Sequence, residues 1–220
     1  MPDDNRTYLG ESTPSVLERI PTGAARVLDL GCGCGGNARL LSARGMKVDG
    51  VTVSGREAAE ASAHCADVYI RNLEEGLPDL PPGRLYDAVI CSHVLEHIAD
   101  PDRMLADIIP RLKRTGVLIV ALPNLMLWKS RLKLLAGRFE YTETGLMDRT
   151  HVRWYTFASA RRLLEAHGFT VIEALADGGL PLGPLRRLMP KGLTAPLDRA
   201  ACRAAPGLLG YEMIYVARAA

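Results

Sequence analysis

No run of 18 apolar residues occurs in this chain of 220, although 48% of its residues are hydrophobic. A membrane-crossing helix needs about 20 such residues, so none is expected. The opening Met1-Pro2-Asp3-Asp4 lacks the basic and apolar blocks of a secretory leader, and a cytoplasmic chain is expected. Charge of neither sign dominates. A net charge of +2 argues against nucleic acid as the main partner. The five cysteines (Cys32, Cys34, Cys65, Cys91 and Cys202) are odd in number and lack framework spacing, which favours reduced thiols. Cys32-x-Cys34 is followed by no second ligand pair, so no metal site is expected. The length suits one ordinary domain over residues 1–220.

What is present is organised around Val27-Leu28-Asp29-Leu30-Gly31-Cys32-Gly33-Cys34-Gly35-Gly36. An apolar run enters, glycines alternate through a bend, and a helix is predicted from Asn37 to Ala43. Glycines at such a bend let the backbone turn sharply and let a ligand approach closer than a Cβ allows. Gly31, Gly33 and Gly36 fit the dinucleotide pattern G-x-G-x-x-G, a weak match by itself. Asp29 discriminates. A dinucleotide delivers a pyrophosphate to this bend, which an acid opposes. S-adenosylmethionine (SAM) brings an ammonium and a sulfonium, which an acid favours.

With this stretch, Leu85-Tyr86-Asp87-Ala88-Val89-Ile90, His93-Val94-Leu95-Glu96-His97 and Leu112 to Gly116 through Pro123-Asn124 resemble a class I SAM-dependent methyltransferase, collinear over roughly residues 24–178. Gly137 to Tyr141 and Gly145 to His151 are similar to a bacterial branch found beside glycosyltransferases and biosynthetic clusters. The resemblance implies an α/β fold: a Rossmann-like, doubly wound seven-stranded sheet, mostly parallel with an antiparallel last strand, plus a helical lid or cap. It also implies SAM as cofactor.

Strands are predicted at Lys47–Val53, Ala66–Arg71, Leu85–Cys91, Lys113–Leu122, Phe169–Ala176 and Tyr211–Ala217, and a helix from a Thr156 cap to His167, closed by Gly168. Residues 1–23 read as an N-terminal arm, with Tyr8 a candidate to fold over the ligand. Leu125–Ala136 reads as an amphipathic lid helix. Residues 177–210 read as a helical cap or a homodimer contact inserted before the last strand.

Cofactor contacts are expected from Asp29, Gly31, Gly33 and Gly35, from Asn72 and Leu73 toward the adenine, and from Ser92 and His93 beyond the fourth strand. Relatives carry an acid at the end of the second strand for the ribose hydroxyls. Here Thr52-Val53 stands there, with Asp49 on the opposite side by alternation and Ser54 beside it. The substrate side is expected at residues 125–155, where Phe139, Tyr141, Trp154 and Tyr155 gather although the chain has only 3 Phe, 2 Trp and 7 Tyr. An extended Thr150–Tyr155 would point His151, Arg153 and Tyr155 together. His151 is the first candidate for general base and His97 the second, with Asn124 facing substrate.

Residues 125–220 carry a net charge of +6 and residues 1–124 a net −4. A small, anionic acceptor follows as an expectation. Methyl transfer to oxygen or nitrogen is the leading reading. Two others stay open on the sequence: cyclisation of SAM to azetidine-2-carboxylate with release of methylthioadenosine, and a non-catalytic SAM-binding module.

Overall fold

The computed structural model describes residues 12–183, 186 and 189–220. Seven strands form one sheet: β1 (Arg26–Leu30), β2 (Lys47–Thr52), β3 (Asp67–Ile70), β4 (Tyr86–Ser92), β5 (Leu112–Pro123), β6 (Phe169–Gly178) and β7 (Gly210–Ala219). Their order is β3-β2-β1-β4-β5-β7-β6. The pairs from β3 across to β5 are parallel, and β7 runs antiparallel to both its neighbours. This is the Rossmann-like sheet that the motifs imply.

Helices cover both faces, so the central strands turn apolar side chains to both sides rather than alternating. Leu28, Leu30, Val89, Cys91, Leu118 and Val120 pack to one side. Val27, Ala88, Ile90, Ile119 and Ala121 pack to the other. Around the sheet lie α1 (Pro14–Leu17), α2 (Gly36–Ser42), α3 (Gly55–Ala61), α4 (Asp102–Ile108), α5 (Trp128–Leu135), α6 (Phe157–Ala166), α7 (Lys191–Ala204) and α8 (Pro206–Leu209). Thr156 and Ser159 close a reciprocal capping box on α6, and Gly168 follows its end with φ +79°. No helix among the described residues is long and apolar enough to cross a membrane.

Strand order reverses between β1 and β4, so the carboxyl ends of these strands open a crevice at one edge of the sheet. Asp49 is not at that edge. It is fully buried about 10 Å back along β2, where it accepts from Arg26 Nη1 at 3.0 Å, Arg84 Nη1 at 3.1 Å and the Tyr86 hydroxyl at 2.9 Å. Asp49→Ala leaves a buried phenol without its acceptor and two guanidinium groups without a shared partner. Such a loss costs about 3 kcal/mol, or roughly 6–12 °C in a chain of this size. Thermal melts check it; a fall of less than 2 °C would show that the network contributes nothing.

Candidate active site

The bend after β1 is built from left-handed backbone. Gly31, Gly33 and Gly35 take φ of 73°, 51° and 84°, a region that side chains other than glycine enter at a cost. The Gly31 and Cys32 amides both donate to the Val51 carbonyl, at 2.8 and 2.9 Å. That pins the bend to the end of β2. A Cβ on Gly31 would stand 2.5 Å from Val94 Cγ2, and one on Gly35 3.1 Å from Ala61 Cα. The cradle therefore has no room for side chains at these positions.

Asp29 enters this cradle from β1 and is 1% exposed. Burial raises its carboxyl to about 7, against a smaller lowering by its hydrogen bond with Asn37. Its Oδ2 has no hydrogen-bond partner among the described residues. A buried acceptor of this kind calls for a donor or a cation from outside the chain.

At the end of β2 the structure supplies what position 52 lacks. Thr52 Oγ1 donates to Glu57 Oε2 at 2.5 Å, and Glu57 is 3% exposed. Thr52 is thus already engaged as a donor, and the carboxylate at this strand end comes from the first turn of α3. Ser54 caps that helix by accepting from the Glu57 amide at 3.4 Å. Ser54-x-x-Glu57 is the capping-box spacing, the signal by which the sequence could have disclosed the acid. Val53 is 45% exposed beside it.

Beyond β3, the Asn72 carboxamide oxygen accepts from the Glu74 amide at 3.1 Å, and Leu73 packs in the core. Ser92 ends β4 with its hydroxyl 3.1 Å from that of Thr13. Tyr8 lies outside the described residues.

The exit of β4 gathers the ionisable groups. His93 holds a left-handed φ of 55°, uncommon for a residue other than glycine. Its Nε2 lies 2.7 Å from Glu212 Oε1, and its Nδ1 lies 3.3 Å from Glu96 Oε1. Burial alone would lower its pKa, but the two carboxylates outweigh it and hold the ring up at about 10. Glu96 is 1% exposed, and neither of its carboxylate oxygens has a hydrogen-bond partner among the described residues. Its main-chain carbonyl accepts from both the Val152 and Arg153 amides, at 2.9 and 3.0 Å. These two hydrogen bonds to one acceptor fix the later segment over the β4 exit.

As a result Thr150–Tyr155 is not an extended strand, and its side chains sort differently from the alternation expected. The Tyr155 side chain turns into the core, with its hydroxyl 3.4 Å from the Leu95 carbonyl and its pKa pushed up to about 12 by burial. Arg153 donates to the Ala99 carbonyl at 2.6 Å. His151 instead meets Trp154 edge-on at 5.4 Å and His97 edge-on at 4.8 Å. Burial lowers the His151 pKa. Asn124 has a structural role of its own. It is wholly buried and latches β5 to the α8–β7 corner, donating to the Gly207 and Gly210 carbonyls at 3.2 and 2.7 Å and accepting from the Met126 amide at 3.0 Å. Both of its N–H donors are thereby engaged within the chain.

A cavity of about 520 Å³ lies between α5 and the loop that follows it. Leu125, Leu127 and Leu146 line it together with Lys129, Lys133, Arg138 and the one acid Glu140. The Leu146 carbonyl lies 3.0 Å from His151 Nδ1, which joins the cavity wall to the imidazole pair.

Residues 4–174 match a family described as a methyltransferase domain. The chain belongs to that family. Among curated relatives, a ubiquinone biosynthesis O-methyltransferase of Rickettsia canadensis is 33% identical over 46% of this chain and 43% of its own length. One from Rhodopseudomonas palustris is 30% identical over 73% of this chain and 63% of its own. The chain thus spans from about two fifths to under two thirds of these relatives. A SAM-dependent methyltransferase from Archaeoglobus fulgidus shares the fold with a TM-score of 0.65, at 21% identity and covering 94% of both chains. An O-methyltransferase of a Brevibacillus brevis multienzyme, solved with S-adenosyl-L-homocysteine, superposes with a TM-score of 0.57 at 17% identity over 94% of this chain and 71% of its own.

The cradle fits SAM, on which the Archaeoglobus fulgidus methyltransferase depends. A bend that admits no Cβ and a buried carboxylate with an unanswered oxygen suit a ligand that brings close-packed atoms and positive charge together.

Proposed function

We propose that the chain transfers the methyl group of SAM to a hydroxyl oxygen of a small acceptor with an apolar body and an anionic group. The observation that carries this reading is the imidazole pair, His97 and His151, joined through the Leu146 carbonyl to an apolar cavity lined by Lys129, Lys133 and Arg138. The names of the curated relatives support oxygen as the accepting atom.

Asp29 and the glycine bend hold the cofactor's methionine portion, and Glu57, through the end of β2, accepts from its ribose hydroxyls. When bound, SAM supplies a methyl carbon made electrophilic by the attached sulfonium. The protein's task is to place one oxygen in line with that carbon and to keep water out, which can contribute ~7–11 kcal/mol. Lys129, Lys133 and Arg138 orient the acceptor's anionic group, and the leucines exclude water around its body. His151, kept neutral by burial, accepts the hydroxyl proton.

Incubation with SAM and a panel of hydroxylated acids, followed by nucleoside chromatography, tests this. S-adenosylhomocysteine that forms only with an acceptor is expected. Methylthioadenosine formed without one would replace the reading with cyclisation. Glu57→Gln replaces a charged acceptor by a neutral one and is expected to weaken SAM binding about tenfold, roughly 1.5 kcal/mol. Calorimetry with SAM reads it, and an unchanged affinity would remove Glu57 from the ribose site.

A further inference from the structure

We propose that Cys32 and Cys65 are an oxidisable thiol pair, and that closing them into a disulfide weakens the hold of the glycine bend on SAM. The bond stands on these two residues alone, whereas its effect on SAM rests on the reading of the bend as the cofactor cradle.

The two cysteines reach the same spot from either side of β2. Cys32 follows β1 and Cys65 precedes β3, the two strands that flank β2. The Cys32 amide donates to the Val51 carbonyl at 2.9 Å, and the Cys65 amide to the Ala61 carbonyl at 3.0 Å. Ala66, the next residue, donates to the Val48 carbonyl at 2.7 Å. Backbone bonds thus hold both side chains in place over the middle of β2.

At that point β2 carries Gly50. A Cβ there would stand 2.7 Å from Cys32 Sγ and 3.0 Å from Cys65 Sγ. Glycine inside a strand weakens it and marks a close approach. Here two sulfurs occupy the room that a side chain would take, within hydrogen-bonding reach of each other.

The thiols are unequal, as exchange chemistry requires. Cys32 is buried, and Cys65 is only half-buried. The hydrogen bond between them pushes the Cys32 thiol up, and burial adds to it. The same bond draws the Cys65 thiol down, against its own partial burial. Cys34 lies in the same bend, but burial and Glu60 hold its thiol up at about 11. Cys65 is therefore the nucleophile and Cys32 the resolving thiol.

The oxidant is a hydroperoxide. With hydrogen peroxide, the Cys65 thiolate attacks one oxygen, the O–O bond breaks, and the departing hydroxide takes up the thiol's proton as water. The Cys32 sulfur then attacks the sulfur of the Cys65 sulfenic acid. The S–O bond breaks, and the hydroxyl leaves with the Cys32 proton as a second water. Two electrons pass from the thiols to the peroxide, and a dithiol returns them.

Closure brings the sulfurs to about 2.05 Å and the Cβ atoms to about 3.8 Å. Cys32 sits between Gly31 and Gly33, whose left-handed backbone shapes the cradle, so the pull is passed to the bend. The bend cannot follow as a rigid piece, because Gly35 is already packed too closely against Ala61 to admit a Cβ comfortably.

The full chain is treated with hydrogen peroxide, digested without reductant and mapped by mass spectrometry, with fragmentation to tell Cys32 from Cys34. A Cys32–Cys65 linked peptide is expected, reversed by dithiothreitol and absent from Cys65→Ser. Calorimetry should show SAM bound at least tenfold more weakly by the oxidised wild type, with recovery on reduction. Cys65→Ser should bind as the reduced wild type does before and after peroxide. By reciprocity, saturating SAM should raise the reduction potential of the pair, by about 30 mV for a tenfold difference. A bond to another cysteine, or Cys65 oxidised to sulfinic acid with no bond, would overturn the proposal. So would a linked form that binds SAM as tightly as the dithiol. Failure of the reduced chain to bind SAM would overturn the cradle reading and the gate with it, while the linked peptide would still establish the bond.

Discussion

Gly31→Ala is expected to reduce SAM affinity about a hundredfold and to lower the melting temperature. The backbone at this position has φ +73°, which costs an alanine roughly 1–2 kcal/mol. The added Cβ would also stand 2.5 Å from Val94 Cγ2. Val94 is buried in the core beside Leu95, so its methyl cannot swing into solvent. Either the bend moves or the β4 exit moves, and both form the crevice. Relief of about 3 kcal/mol by a shift that disfavours the bound geometry corresponds to the hundredfold loss. The double variant Gly31→Ala, Val94→Ala separates the two contributions. It removes the collision but not the left-handed strain, so part of the affinity should return. Calorimetric titration with SAM, alongside melting of each variant, reads the outcome. An unchanged affinity in Gly31→Ala would mean that the bend is not the cradle.

The parts of the molecule legible in the sequence are those dictated by neighbours in the chain. Val27–Leu30, Asp29 apart, and Leu118–Leu122 are strands whose apolar residues lie between two helical layers. Thr156 and Gly168 bound α6 through bonds within one helical turn. Hidden were the roles that depend on distant backbone. Asn124 has the polarity of a substrate contact, but Gly207 and Gly210, more than 80 residues on, occupy it. Tyr155 stands where alternation would place it beside His151, but the two amides after His151 converge on the Glu96 carbonyl and break the alternation. Nothing at position 52 announces Glu57, because the helix after the strand returns its carboxylate to the strand end. The meeting of Glu96 and His97 with His151 likewise spans some 54 residues and has no local spacing to announce it.

Asp29→Asn should make the free protein more stable and the cofactor site weaker. In the folded chain the carboxyl titrates near 7, against 3.8 for an unhindered one. The native state therefore holds a proton between about pH 4 and 7 that the unfolded state has released. Stability falls as pH rises through that window, by up to about 4 kcal/mol. The amide cannot ionise, so the variant escapes this loss, and its advantage over wild type should be absent near pH 4 and greatest above pH 7. Binding runs the other way. A cationic ligand favours the ionised carboxylate, so below pH 7 the wild type must release a proton to bind. Its SAM affinity should rise tenfold per pH unit between pH 5 and 7, with a plateau just above. The variant should lack this rise and bind about a hundredfold more weakly at pH 7.5, as expected when a buried charge-assisted contact worth about 3 kcal/mol is lost. Denaturant melts and calorimetric titrations at matched pH values read both effects. If the variant is less stable at pH 8 and its affinity follows the wild-type pH curve, then Asp29 is already compensated in the free protein. The preference for a sulfonium over a phosphate at this bend would then have to come from another group.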